Sequence, residues 1–344
     1  MNNNTTTKTH YNSIMGTMKE YYDTFKALHL SNLDTDEEVN RLYEIIENNL
    51  IKTNIFQPYQ VINLYSVLFV CKNKNNGLYF RIFKKVYDKY PEVQNELLSS
   101  PFCYYLQKDY GIHAKSNDNY VDRVLNALNP PLGVFKDNTI MKAIMNDDIE
   151  SFKEFANKEN FDPNETVTNH FMVEECKFSY LELCCYYGSV ECFMHLRSEF
   201  NSKVTEKCLR LSFLSGKDQI INECLSYQEP NQKCMEYAIF SYNKDLIMLL
   251  ANNYKIQIDI DICARSYNVE ALALLMEQTS DYDKILPFAI KFRSLELMKY
   301  LSPLVRNINA QDIGGWTALG LATFYNCYDI LEYLISIGAN VNIS

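Results

Sequence analysis

Asp312-Ile313-Gly314-Gly315-Trp316-Thr317-Ala318-Leu319-Gly320-Leu321-Ala322, followed by Leu334 and then by Gly338-Ala339-Asn340-Val341-Asn342, reads as a turn, a helix, a second helix and another turn. Moving back 33 residues, Leu286, Ala289, Leu297, Leu301, Asn307 and Asn309 repeat the pattern in register. A unit this short cannot bury its own apolar face and must lean on its neighbours. The expected fold is therefore all-α, a solenoid of stacked helix pairs preceded by a helical N-terminal region.

The same template can be followed upstream. It starts from an apolar residue, with a small residue three later, a turn residue four after that and apolar residues at further steps of four. First anchors fall at Ile140, Leu181, Leu209, Met235, Ile260, Leu286 and Leu319, and the small anchors at Ala143, Cys184, Ser212, Ala238, Cys263, Ala289 and Ala322. Close packing between first helices is the reason only small side chains fit there. Turn positions are Asp147, Gly188, Gly216, Tyr242, Tyr267, Arg293 and Asn326. Gly, Asn and Asp tolerate a left-handed backbone. Beside the two tyrosines, Asn243 and Asn268 are expected to take that role, and the Arg293 turn is expected to be shifted or longer.

Here the sequence resembles the ankyrin-repeat family, since Asp312, Gly315, Thr317, Ala318, Leu319, Gly320 and Ala322 lie where that family has Asp-x-x-Gly-x-Thr-Pro-Leu-His-x-Ala. The resemblance implies that Thr317 caps the first helix. Ala318 and Gly320 replace the family's Pro and His, so the Thr–His clasp is missing. Leu181 to Gly188, Cys208 to Cys224 and Cys234 to Leu250 are similar to the multi-copy ankyrin proteins of parasitic protists that carry a Tyr- and Asn-rich helical N-terminus. Successive first anchors lie 41, 28, 26, 25, 26 and 33 residues apart. Units of 25 to 28 leave no room for a projecting β-hairpin, so a finger is expected mainly between Leu301 and Leu319, with an irregular insertion at Phe161 to Ser179.

Four segments are expected: a disordered Asn/Thr leader over 1–10, an N-terminal helical region over 11–112, a linker over 113–136 and the repeat array over 137–344. In the N-terminal region Ile14, Met18, Tyr21, Tyr22, Phe25 and Leu28 form one helical stripe, and Val39, Leu42, Ile45 and Ile46 form the next. Thr35 and Glu38 have capping-box spacing. Pro58 opens a third helix to about Val70, Leu78 to Tyr90 is a fourth, Pro91 to Leu98 a fifth and Phe102 to Leu106 a sixth.

A net charge of −10 and a pI near 5.1 leave no excess of cations for nucleic acid or an anionic membrane. Eleven cysteines without a secretory start point to a reducing interior, and no apolar run approaches the roughly 20 residues of a membrane span. The expected location is cytoplasmic. Gly315 and Gly320 have phosphate-loop spacing, but Leu321 and Ala322 stand where Lys and Ser/Thr are needed. Cys184, Cys185, Cys192 and His195, with His170 and Cys176, are the best metal candidates. Cys184 and Cys192 sit on core anchors, so no metal and no cofactor are expected. Cys192 and His195, one helical turn apart, are the only local pairing that could make a thiol nucleophile, and are read as coincidence.

Candidate protein-binding residues are Asp312, Trp316, Leu334 and Ile337. Trp316 is either a structural wedge or an interface anchor. Ile330, Leu331, Leu334, Ile335 and Ile337 are expected to face outward, because the sequence stops at Ser344 without a polar terminal repeat. That face is then hidden by a local rearrangement, docks another copy or protein, or belongs to a truncated relative of a longer array. The favoured function is a non-enzymatic adaptor that binds an unidentified protein through the concave helix face and the C-terminal finger. The alternatives are a self-associating structural protein that forms a homo-oligomer through the C-terminal repeat, and an enzyme domain in 11–112 targeted by the repeats.

Overall fold

The computed structural model describes residues 7–31, 33–95, 100–115, 131, 134–168 and 177–343. Most of the described residues are helical. The N-terminal helices are α1 (Thr7–Thr17), α2 (Lys19–Leu30), α3 (Asp36–Ile46), α4 (Pro58–Cys71), α5 (Asn76–Lys89) and α6 (Ser100–Tyr110). Then come α7 (Ile140–Asn146) and α8 (Ile149–Ala156), followed by an antiparallel pair, β1 (Thr166–Thr168) and β2 (Lys177–Ser179), with Val167 opposite Phe178. Six helix pairs follow: α9 (Tyr180–Tyr187) and α10 (Val190–Phe200), α11 (Glu206–Ser215) and α12 (Asp218–Leu225), α13 (Gln232–Phe240) and α14 (Lys244–Asn253), α15 (Ile260–Arg265) and α16 (Val269–Gln278), α17 (Tyr282–Ala289) and α18 (Leu295–Leu301), α19 (Ala318–Phe324) and α20 (Tyr328–Ser336). Among the described residues no strand falls between α9 and α18; the insertion carries β1–β2, and a single bridge, Gln311 to Thr317, precedes α19.

Contacts divide the chain into two compact units, Met1–Leu28 with Tyr242–Ser344 (unit 1) and His29–Ser241 (unit 2). This differs from the expected boundaries in two places. The leader is not wholly unstructured, since α1 starts at Thr7 and His10 bonds Tyr300 at 2.7 Å. The region 11–112 is not one body, since its first stripe belongs with the C-terminal repeats. Helical periodicity shows that a face is buried and leaves open what buries it. Most of 113–136 lies outside the described residues.

In unit 2 the first helices α7, α9, α11 and α13 stack in order. Their small anchors Ala143, Cys184, Ser212 and Ala238 are at most 5% exposed, as close helix approach requires. Each N-terminus has a chemical reason. Ser179 and Glu182 form a reciprocal capping box on α9, and Thr205 accepts from Cys208 N at the start of α11. The Asp147 carboxylate accepts from Glu191 N and Cys192 N, so one repeat's turn caps the next repeat's second helix. Pro91–Asn95 is a short 3₁₀ turn instead of the expected helix, and Leu98 lies outside the described residues.

Thr35 caps α3 as expected, but Glu38 does not complete the box. Its carboxylate accepts from Ser31 Oγ at 2.6 Å and from Arg41 Nε and Nη2 at 2.7 and 2.6 Å. The Arg41 bonds hold the Glu38 pKa down, from 4.5 to about 2. A depressed carboxylate stabilises the fold above its unfolded pKa and loses that contribution as pH falls through the folded value. With Arg41 half exposed and screened, the contribution is about 1 kcal/mol. Glu38→Gln should flatten the loss of unit 2 stability between pH 4.5 and 2 in urea titrations; an unchanged acid slope would refute this.

In unit 1 the first helices α15, α17 and α19 stack, with Cys263, Ala289 and Ala322 fully buried at the small anchors. Helix α1 lies on the second helices α16 and α18. Tyr11 and Tyr22 donate their hydroxyls to the two oxygens of the buried Glu270 carboxylate at 2.5 and 2.6 Å. Phe25 stacks on Tyr267 at 4.9 Å, Tyr22 on Tyr242 at 6.3 Å, and Tyr21 meets Phe292.

All seven turn anchors have left-handed backbones: Asp147, Gly188, Gly216, Tyr242, Tyr267, Arg293 and Asn326 lie between φ +54° and +71°. The tyrosines adopt this conformation themselves, against expectation, and Asn243 and Asn268 cap the second helices instead. Arg293 does the same without any shift of the turn. A left-handed non-glycine residue costs about 1–2 kcal/mol and persists where tertiary contacts hold it. Tyr242 donates to Ser266 O at 2.7 Å, Tyr267 is clamped by Phe25, and Arg293 Nη1 donates to Tyr325 O at 2.8 Å.

Candidate protein-binding finger

Between α18 and α19 the chain makes one tight finger. Asp312 N donates to Trp316 O at 2.9 Å, and the Asp312 carboxylate accepts from Gly314 N and Trp316 N at 2.8 and 2.9 Å. Gly315, at φ +82°, supplies the left-handed step, and Gln311 Nε2 donates to its carbonyl at 2.7 Å. Thr317 is buried and caps α19 by accepting from Gly320 N at 3.1 Å. These bonds leave the turn little freedom, and they raise Ile313 fully into solvent.

Trp316 is 43% exposed. Its ring lies over Gly320, where an added Cβ would come within 3.3 Å, and meets Phe324 at 5.9 Å. The glycine that replaces the family's His therefore makes room for the indole. Trp316 is at once a wedge against α19 and a surface group, so the two readings of it describe two sides of one ring. Phe324 is 65% exposed and packs edge-on against Tyr325, whose ring lies beneath the Arg293 guanidinium.

Of the four candidate residues, Asp312 and Trp316 share this finger, with Asp312 holding its shape from inside. Leu334 is fully buried, as is Ile330, which corrects the expectation that they face outward. Four residues apart on α20, they point together into the last helix pair. Ile335 and Ile337, expected on the outer side with them, are exposed, as is Tyr328. Ile313 and Phe324 were missed, although an apolar residue inside an Asp-x-Gly-Gly turn was a readable signal.

Cys184, Cys185, Cys192 and His195, the described members of the cysteine cluster, are not brought together as a ligand set. Cys184, Cys185 and Cys192 are fully buried, and His195 packs edge-on between Phe152 and Phe200. Burial, then the neighbouring Asp147 carboxylate, push the Cys192 thiol well up, opposite to what a thiolate nucleophile needs. Among the described residues no group of three or more His, Cys, Asp or Glu is placed to hold a metal; His170 and Cys176 lie outside them. No helix among the described residues is long and apolar enough to cross a membrane.

Stacked helix pairs with a finger define a helical-repeat protein. Residues 260–344 match the family model described as "Ankyrin repeats (3 copies)", so this part of the chain carries ankyrin repeats. Residues 200–276, which overlap the units too short for fingers, match a "Domain of unknown function (DUF3447)". Among solved structures, the ankyrin repeat domain of human ASB11 is similar at 17% identity and a TM-score of 0.43, covering 58% of this chain and 98% of that one. No curated protein matches.

Proposed function

We propose that the chain is a non-enzymatic, cytoplasmic interaction scaffold that binds a protein partner through the C-terminal finger and the adjoining concave side of the first helices. Ankyrin repeats are in general protein–protein interaction modules. The observation that carries the reading is the exposed Ile313, Trp316 and Phe324 group on a finger whose shape is fixed by its own hydrogen bonds. A rigid aromatic anchor loses little entropy on binding, and such groups dominate interface energies. The likeness to the multi-copy ankyrin proteins of parasitic protists is part of this proposal, supported by the Tyr- and Asn-rich helices before the repeats.

The test is capture of the partner from its native cell with the full chain, then measurement of its Kd against Trp316→Ala. A loss of about 2 kcal/mol, roughly thirtyfold, is expected under conditions where urea unfolding shows unit 1 of the variant still folded. Equal affinity for the variant would refute the finger as the binding site.

Exposed Tyr328, Ile335 and Ile337 support a second reading, association of copies through α20. It predicts a concentration-dependent dimer in sedimentation that Ile335→Glu with Ile337→Glu abolishes.

A further inference from the structure

The last helix pair and its finger carry charge of one sign. From Asn307 to Ser344 the sequence holds no Lys, Arg or His, while Asp312, Asp329 and Glu332 are acidic. Asp329 and Glu332 are exposed and lie on α20, which packs against α19. Packed helices are about 8–10 Å apart, close to the Debye length of about 10 Å at 0.1 M salt, so both carboxylates act on a ligand lying along α19. Trp316, Gly320 and Phe324, four residues apart, share one side of that helix. Trp316 meets Phe324 at 5.9 Å, and Phe324 meets Tyr325 at 5.1 Å. The inner end of this run of rings already carries a cation, the Arg293 guanidinium, 5.5 Å from the Tyr325 ring centre. Among the described residues no cation lies over the outer rings, Trp316 and Phe324, although both are exposed.

Taking the finger as the binding site, the reading on which this step rests, we propose that its partner is a protein segment presenting arginines beside apolar side chains, with guanidinium groups stacked on Trp316 and Phe324. The face of an aromatic ring attracts cations, and Arg, planar and weakly hydrated, stacks on it better than Lys. Exposed Ile313 supplies the apolar contact. An acidic segment is repelled by the carboxylates, and a neutral one leaves their charge unmatched.

The experiment uses the full chain and a fluorescein-labelled peptide of about a dozen residues, half leucine and half arginine. Its counterpart carries citrulline, in which an uncharged urea group of similar shape replaces each guanidinium, and binding is read by anisotropy. The arginine peptide should bind about tenfold more tightly than the citrulline peptide and lose about tenfold in affinity between about 0.05 and 0.5 M salt. Phe324→Ala should weaken it about tenfold, and Asp329→Asn with Glu332→Gln about fivefold, with each variant folded by circular dichroism because these side chains are exposed. No binding of the arginine peptide would overturn the proposal. Equal affinity for the two peptides would overturn it too, and if Phe324→Ala still lowered that affinity the finger would stand as the binding site. Selective binding of the arginine peptide that neither Phe324→Ala nor Trp316→Ala alters would instead count against the finger itself.

Discussion

Removing Met1–Leu28 should leave Tyr242–Ser344 unable to hold its fold. Ile14, Met18, Tyr21, Tyr22, Phe25 and Leu28 are each at most 6% exposed, and all six belong to unit 1. At about 1.5–3 kcal/mol per buried side chain, their gross contribution is about 9–18 kcal/mol. That figure is an upper bound, since unfolded chains already hide part of this surface. Even half of it rivals the 5–15 kcal/mol of a typical domain. The truncation also strips Glu270 of two hydroxyl donors. Burial, and then the bonds to Glu270, hold both phenols protonated well above their ordinary range, so the donors are in place at any physiological pH. The measurement is hydrogen exchange on the chain lacking residues 1–28: amides of 242–344 should exchange as in an unfolded segment while those of 29–241 stay protected. A native-like cooperative transition in 242–344 would refute the prediction. An array cut at residue 137 on the sequence-based boundary should fail for the same reason.

Leu334→Glu is the second large effect, and its expected outcome is loss of structure, not loss of association. The side chain is fully buried beside Ile330, with α18 and α19 packed against α20. A carboxylate there has no cationic partner in the described contacts, so it either ionises at a cost of several kcal/mol or protonates. We expect destabilisation of about 3–5 kcal/mol in urea unfolding. The single tryptophan, Trp316, reports it directly, because its ring rests on Gly320 of α19. A variant with native stability and native Trp316 fluorescence would restore the outward-facing reading.

These two cases mark the limit of what is legible in the residues. The repeat template could be read because anchor size and turn chemistry are local requirements. All seven small anchors are buried and all seven turn anchors are left-handed, including the three whose side chains argued against it. Tyr242, Tyr267 and Arg293 hold that conformation through contacts with residues distant in sequence, and no window around them carries that information. The stripe from Ile14 to Leu28 could be read as buried, but its cover, α16 and α18, is a long-range property. In the candidate site, the Asp312–Thr317 turn was evident from its own spacing. Leu334 was misread although Asp329, Glu332 and Ser336 share one arc of α20 and leave Ile330 and Leu334 opposite it, a one-sided pattern that marks the buried face.

The thiols carry a practical consequence. Of the eleven cysteines, the nine whose side chains are described are all buried, and at least one falls in every helix pair from α9–α10 to α19–α20 except α17–α18. A reagent such as a maleimide should therefore reach each only when its own layer opens. Timed labelling followed by peptide mapping would then record the order in which the layers come apart, with no engineered probe.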